Sequence, residues 1–547
     1  MPNRDADVLW HYHNETKHSY SSVRTSGHRL DWANYPLPFK IYRDIESILL
    51  PREWNDSGMD ALSAISFPGA VAESEAAPDL KSLAALLYHS AGITRRREFP
   101  GGEIYFRAAA CTGALYQVEL YLVCGPLPDL EAGLYHFNPA DFALDRLRSG
   151  DWRGVLARAT AGEESIRNAP VTIVCTGTYW RNAWKYQART YRHFFWDNGT
   201  MLANLLAMAA AQRLPARLVM GFLDEEVNRF LNLDTEREVG ISIVALGSGA
   251  AMESKPPGTI KALELKTAAP PSREVDYPLM REAHAASCLA TLEEVRDWRS
   301  RTPVPVEPER PRDGGVVPPA ETLVDLKPFA GMARTGVIKA PVAHAPGSDF
   351  TDSPQDGIEQ VIRRRGSSRR FARAPIRFEQ LSTLLVRATQ AIPADFLNPG
   401  LDPAGSRLND LYLIANAVEG LPPGAYYLRR DRPTLERLKQ GEFREQAGYL
   451  GLEQELPADA AVAIFFLADL PAIFGRFGNR GYRAAQMEAG IIGGKLYLAA
   501  YAQKIGATGL TFYDDDVTSF FSPHAAGKSA IFLIAVGIPA QRLLRTL

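Results

Sequence analysis

Three short stretches of this chain carry residue types that could do chemistry. Arg363-Arg-Arg-Gly-Ser-Ser-Arg-Arg-Phe371 packs guanidiniums, hydroxyls and a flexible glycine into nine residues. Forked Arg donors with neutral Ser donors beside them suit a phosphate, although a solvated basic turn would read the same way. Ala110-Cys-Thr-Gly-Ala-Leu-Tyr116 is a small-residue turn feeding an apolar run, and small residues let backbone approach a flat ligand closely. An ordinary tight loop before a strand is the plain alternative. Trp184-Lys-Tyr186 places an amine beside a phenol. Such a pair can move a proton if burial brings the amine toward neutrality; otherwise it is a solvent-facing Lys next to a packed Tyr. His11, His13, His18 and Glu15 fit no common zinc spacing, so no metal is expected. Gly475-Arg-Phe-Gly-Asn-Arg-Gly481 lacks the strand and spacing of a dinucleotide loop.

What must position these groups is written in a repeat. Leu120-Tyr-Leu-Val123 recurs as Leu411-Tyr-Leu-Ile414, Gly133-Leu-Tyr-His136 as Gly424-Ala-Tyr-Tyr427, and Tyr191-Arg192 as Tyr482-Arg483, always 291 residues apart. That period is far beyond solenoid or propeller units of roughly 20–50 residues. It reads as a duplicated domain, the two halves of an ancestral symmetric dimer joined in one chain, with sites expected at the interface. The chemistry-bearing stretches are lost in complementary fashion. Copy one has no basic residue where Met59–Pro68 is expected to match the arginine cluster; copy two has Arg476-Phe477 in place of Lys185-Tyr186, and Arg407 in place of Tyr116.

Periodicity predicts the same order of elements in both copies. In copy one these are a helix over 80–91, strand 118–124, hairpin 133–147, strand 170–176, a long helix from about 188 to 213 and strand 240–246. In copy two they are helix 378–391, strand 410–416, hairpin 424–438, strand 461–467, helix 482–504 and strand 530–537. The long helices are apolar nearly all round, as in the middle of a large core. The expected fold class is α+β: two tandem domains at 51–250 and 355–547, each a mixed sheet flanked by helices, forming an intramolecular pseudo-dimer. Residues 1–50 read as an N-terminal segment, and 251–354, rich in Pro, Ala and charge, as a linker with one helix near 281–300. The net charge of −2 leaves no basic footprint for nucleic acid, and no apolar run approaches a membrane helix. Four cysteines without a CxxC pair, and no secretory signal pattern, point to a cytoplasmic enzyme.

At these residues the chain resembles the nitroreductase superfamily, specifically the SagB/ThcOx-type FMN-dependent dehydrogenases. The resemblance is carried in copy one by His13–Ser19, Thr112-Gly-Ala-Leu-Tyr116, Gly133-Leu-Tyr-His-Phe137 and Trp184-Lys-Tyr186. In copy two it is carried by Arg365-Gly-Ser-Ser-Arg-Arg-Phe371 and Gly506-Ala-Thr-Gly-Leu-Thr511. It implies one composite FMN site between the copies and one degenerate site. Arg365, Ser367, Ser368 and Arg369 would hold the phosphate and ribityl chain; Gly509, Leu510 and Thr511 would pass the isoalloxazine; Cys111, Thr112 and Gly113 would supply the partner turn. Lys185 and Tyr186 would manage the proton. Cys111, Ala110 and Gln117 depart from the family's usual Ser, Pro and Pro. The implied reaction oxidises a carbon–heteroatom bond, such as azoline to azole, in a modified peptide or small metabolite. An NAD(P)H-dependent reductase of nitro compounds, quinones or flavins, and a flavin-free scaffold in a biosynthetic complex, are the alternatives.

Overall fold

The computed structural model describes residues 3, 5–66, 75–99, 102–251, 259–268, 271–301, 323–329, 356–390, 392–397 and 407–540. Two seven-stranded sheets have the same strand order. The first runs Ser47–Leu49, Ala143–Ser149, Gly133–Asn138, Val118–Cys124, Val171–Thr178, Glu238–Leu246 and Ala216–Val219. The second runs Leu323–Asp325, Thr434–Gln440, Gly424–Arg429, Asp410–Ala415, Val462–Ala468, Ser529–Gly537 and Gly506–Leu510. Pairing within both is antiparallel. Among the described strands, parallel pairing is confined to the short pair Ile376–Arg377 and Val418–Glu419. The central strands Val118–Cys124 and Val462–Ala468 are buried at every residue, because helices or the other copy cover both faces.

The long helices Thr190–Ala211 and Arg480–Ala502 cross in the middle of the molecule, which explains their apolar circumference. Their contact is tight enough to require glycine. A Cβ on Gly199 would meet Gly490 backbone at 2.6 Å, and one on Gly490 would meet the Trp196 carbonyl at 2.6 Å. Gly199 and Gly490 are themselves 291 apart in sequence, so each sits against its own counterpart. A residue can do that only on a two-fold axis, and this fixes the interface as isologous.

The two arms outside the repeated sheets obey the same symmetry. The N-terminal helix Ala6–Glu15 presents the His13 carbonyl and Thr16 Oγ1 to Arg192, at 2.5 and 3.0 Å. The linker helix Pro278–Ala286 presents the His284 carbonyl and Ser287 Oγ to Arg483, both at 2.8 Å. Between the copies, Asp514 binds Arg192 and Arg189 at 2.6 and 3.0 Å, and Asp224 binds Arg480 and Arg483 at 2.6 and 2.8 Å. The linker thus carries two helices, Pro278–Ala286 and Leu292–Ser300, where one was expected. The hairpin Ile93–Phe99 with Gly102–Arg107 was not expected at all. Its run of charged residues hides the alternation that marks a half-buried strand.

Candidate active site

The arginine cluster follows the short helix Ile358–Arg364 and lies at the seam between copies. Arg365 donates to the Ala108 and Arg107 carbonyls of copy one, at 3.1 and 3.3 Å, and lies over the Tyr497 ring. Ser367 Oγ is 3.2 Å from the Tyr497 hydroxyl, which accepts the Gly509 amide at 2.6 Å. The Ser368 amide donates to Ala507 at 3.0 Å, while its buried hydroxyl has no hydrogen-bond partner among the described residues. Arg363, Arg364 and Arg373 are bound to Asp56, Asp356 and Asp459. Among the described residues Arg369 and Arg370 belong to no ion pair, and both line a cleft of about 250 Å³ with Gln454, Glu455, Leu456 and Asp459. Arg370 and Tyr497 were not singled out from sequence. Arg370 was visible as one more guanidinium of the cluster, whereas Tyr497 sits in an apolar helix that gives no sign of its role.

The small-residue turn of copy one is left-handed at Gly113, Ala114 and Tyr116, with φ of 66°, 54° and 50°. Non-glycine residues adopt this region only where the surroundings force them. Asp197, from the long helix, does the forcing. One oxygen accepts the Thr112 amide and hydroxyl at 2.9 and 2.8 Å; the other accepts Gln117 Nε2 at 2.5 Å and Cys111 Sγ at 3.2 Å. Burial pushes the Asp197 carboxyl up to about 6, against those hydrogen bonds. Burial and the Asp197 charge push the Cys111 thiol well up, so it is a neutral donor and no nucleophile. Asp197 went unnoticed in the sequence, yet its counterpart Glu488 holds the Leu408 and Asn409 amides at 3.0 and 2.8 Å. An acid at one register in two apolar helices was the available signal.

Lys185 and Tyr186 end the helix Tyr179–Tyr186, against that turn. A Cβ on Gly113 would lie 3.0 Å from the Tyr186 hydroxyl, so the turn presses its bare backbone onto the phenol. The exposed Lys185 amine is held below the ordinary lysine range, by desolvation and then by Arg369 of copy two. Burial and the nearby Asp197 and Cys111 push the Tyr186 phenol up, while Arg369 pulls it down. The structure therefore brings the arginine segment of one copy to the turn and the Lys-Tyr pair of the other.

The symmetry-related position is filled by the chain itself. The register of Ala216–Val219 against its neighbour puts Met220 and Gly221 where copy two has Leu510 and Thr511. Their amides donate to the two oxygens of buried Asp395, at 2.9 and 2.8 Å. Ala394 also bridges Leu218. Trp298, from the linker helix Leu292–Ser300, packs on Phe477 with ring centroids 5.8 Å apart, and Arg301 and Arg476 each donate to the other's carbonyl. Among the described residues no carboxylate meets the matching amides of Leu510 and Thr511. The bridges Ala76–Ser248 and Phe371–Pro539 also correct one alignment: the counterpart of the arginine segment is 70–76, not 59–68. Residues 67–74 lie outside the described residues, but the sequence there, Ala70-Val-Ala-Glu-Ser-Glu-Ala76, is likewise without a basic residue.

Asp224, His284 and Cys288 converge within 4.8 Å, as metal ligands would. Both Asp224 oxygens are taken by Arg480 and Arg483, and the symmetric Asp514 makes the same lock with Arg189 and Arg192. The cluster is an ion-pair joint between copies. His13, which had raised the question of a metal, lies 3.2 Å from the Tyr482 hydroxyl and is buried.

The profile of the Nitroreductase family matches residues 103–248 and 362–537, together more than half of the chain. Nitroreductase MJ1384 of Methanocaldococcus jannaschii is 25% identical over 154 residues, covering 28% of this chain and 74% of that protein. The microcin B17-processing protein McbC of Escherichia coli is 27% identical over 154 residues, covering 27% of this chain and 53% of that protein. A crystal structure of a protein from Anabaena variabilis assigned as a nitroreductase superposes with a TM-score of 0.72 at 25% identity, covering 97% of this chain and 99% of that one. No described helix is long and apolar enough to cross a membrane. Two profile matches, two sheets of one topology and a two-fold axis between them lead to one statement: this chain belongs to the nitroreductase family, in a tandem form whose two domains build the family's dimer within a single polypeptide.

Proposed function

We propose that the protein is an FMN-dependent dehydrogenase that oxidises a carbon–heteroatom bond, with an azoline-to-azole conversion in a modified peptide or small metabolite as the reaction. The observation that carries this is the placement of the Lys185 amine, 5.3 Å from the centre of the Tyr186 ring and near Arg369 of the other copy. The similarity to a microcin-processing protein supports the choice of substrate class.

The residues present fit the cofactor. Arg369 and Arg370, which belong to no ion pair among the described residues, offer guanidiniums to a phosphate, the Ser368 hydroxyl, without a partner among the described residues, offers a neutral donor, and the turn at Thr112–Gly113 offers bare backbone to a flat ring. FMN, when bound, supplies a two-electron acceptor for hydrogen leaving carbon. Lys185 Nζ accepts the proton released from the substrate ring, and desolvation and then Arg369 shift it toward the neutral form. Tyr186 Oη, pressed against Gly113, holds the opposite edge of the substrate as a hydrogen-bond donor. Dioxygen serves as the final oxidant.

Replacing Lys185 with Met and Tyr186 with Phe tests this directly, with a 2-substituted thiazoline as substrate. The expected outcome is about a 10²-fold or larger fall in kcat, with the flavin absorbance of the purified protein unchanged. Full activity in both variants removes the pair from the mechanism. Rapid bleaching of the flavin by NADPH in stopped flow would instead favour a reductase.

A further inference from the structure

We propose that an aromatic platform made of Trp32 and Tyr35, backed by the buried Trp184, is a substrate subsite that takes a planar aromatic ring carried next to the bond being oxidised. The proposal rests on the dehydrogenase reading above and specifies the substrate further. Trp184 immediately precedes Lys185 in the chain. Its indole N–H donates to the Asp31 carbonyl at 2.7 Å, and its own carbonyl is 3.0 Å from His28 Nε2. The ring is therefore fixed by the N-terminal segment before any ligand arrives. Trp32 stands edge-on to it at 5.1 Å, and Tyr35 is edge-on to Trp184 at 5.0 Å and stacked on Trp32 at 6.0 Å.

This cluster is separate from the main core. Trp184 and Trp180 pack with Leu115 of the turn, and Tyr186 lies against them, so the platform continues directly into the site. Its outer side is open at Trp32, 70% exposed, and Tyr35, 44% exposed, which lie over the buried Trp184. Leaving a fixed, ring-lined apolar surface in water beside a proton-handling pair is the arrangement of a ligand contact. The two copies differ in the same sense. In the register of Trp184 copy two has Gly475, around which a Cβ would meet nothing within 4 Å, so the platform accompanies only the copy that kept Lys185 and Tyr186. In the closed position of copy two, an indole of the chain itself, Trp298, packs on Phe477, the counterpart of Tyr186.

The test uses the flavin-loaded full chain and two unreactive product analogues, 2-phenylthiazole-4-carboxylate and 2-methylthiazole-4-carboxylate, with affinities measured by titration calorimetry. The phenyl compound binds the wild type roughly tenfold more tightly, and Trp32→Ala erases that preference while leaving flavin content and Tm unchanged, since Trp32 is largely solvent-exposed. Equal affinities in the wild type, binding of neither compound, or a preference that survives Trp32→Ala overturns the subsite. If the preference is present and lost in the variant, but the corresponding thiazolines leave the flavin oxidised under anaerobic conditions, the subsite stands and the dehydrogenase reading fails.

Discussion

Asp197 illustrates how much of the site depends on one buried carboxylate that never needs to touch substrate. It holds four donors of the turn, and these contacts keep Gly113, Ala114 and Tyr116 in left-handed backbone. Its position has a measurable consequence. The folded-state pKa of about 6 lies above the unfolded value of about 3.9, so the folded protein holds this proton more tightly. The stability contributed by the group is full below the unfolded pKa and is lost as pH rises through 6. Relative to Asp197→Asn, which stays neutral throughout, wild-type stability in urea should fall by about 2–3 kcal/mol between pH 4 and pH 7. A constant difference across that range would show that Asp197 does not titrate there.

At the level of elements, the joints between copies are made by helix starts that reach across the seam. Asp514 and Asp224 begin short helices and each meets two arginines at the start of a long helix, Arg189 being the residue just before it. Burial by itself would raise the Asp514 carboxyl, but Arg189 and Arg192 overcome it and hold the group below the ordinary carboxylate range. Its stabilisation is therefore present above the unfolded pKa and lost as pH falls toward the folded one. Asp514→Asn strands two buried guanidiniums and should cost about 3–5 kcal/mol in chemical denaturation, with Asp224→Asn costing a similar amount by symmetry. A loss under 1 kcal/mol in either would argue against the joint.

The long helices, central strands and hairpins were readable from periodicity because packing on both faces left them unbroken apolar patterns. The helix expected from about 188 to 213 spans Thr190–Ala211. The edge strands Ala216–Val219 and Gly506–Leu510 were not read as strands, since an edge strand of four or five residues is too short for alternation to show. The second linker helix was missed because Pro, charge and a short length mask its two buried anchors, Val295 and Trp298. Of the site, the residue types were legible but their partners were not. Asp197, Tyr497 and Asp395 act through contacts between segments far apart in sequence, which no local pattern encodes.

For the molecule as a whole, the two halves of a symmetric scaffold have taken different fates. On one side of the seam the arginine segment lies against the strand entering the turn and near the Lys-Tyr pair. The other contains Asp395 hydrogen-bonded across the strand edge and Trp298 laid on Phe477. Protein denatured after reconstitution and desalting should release about one flavin per chain, where an undivided interface of this symmetry would release two. A value near two would mean that Asp395 and Trp298 yield to the second cofactor.

The crossing of Gly199 on Gly490 also bears on how such a protein behaves when scarce. A dimer assembled from separate subunits comes apart on dilution and loses any pocket that both subunits line. Here the two long helices meet inside one polypeptide, so their encounter is intramolecular and does not depend on how many other copies are in solution. A cell making only a handful of these chains would still have both halves of the interface in each one.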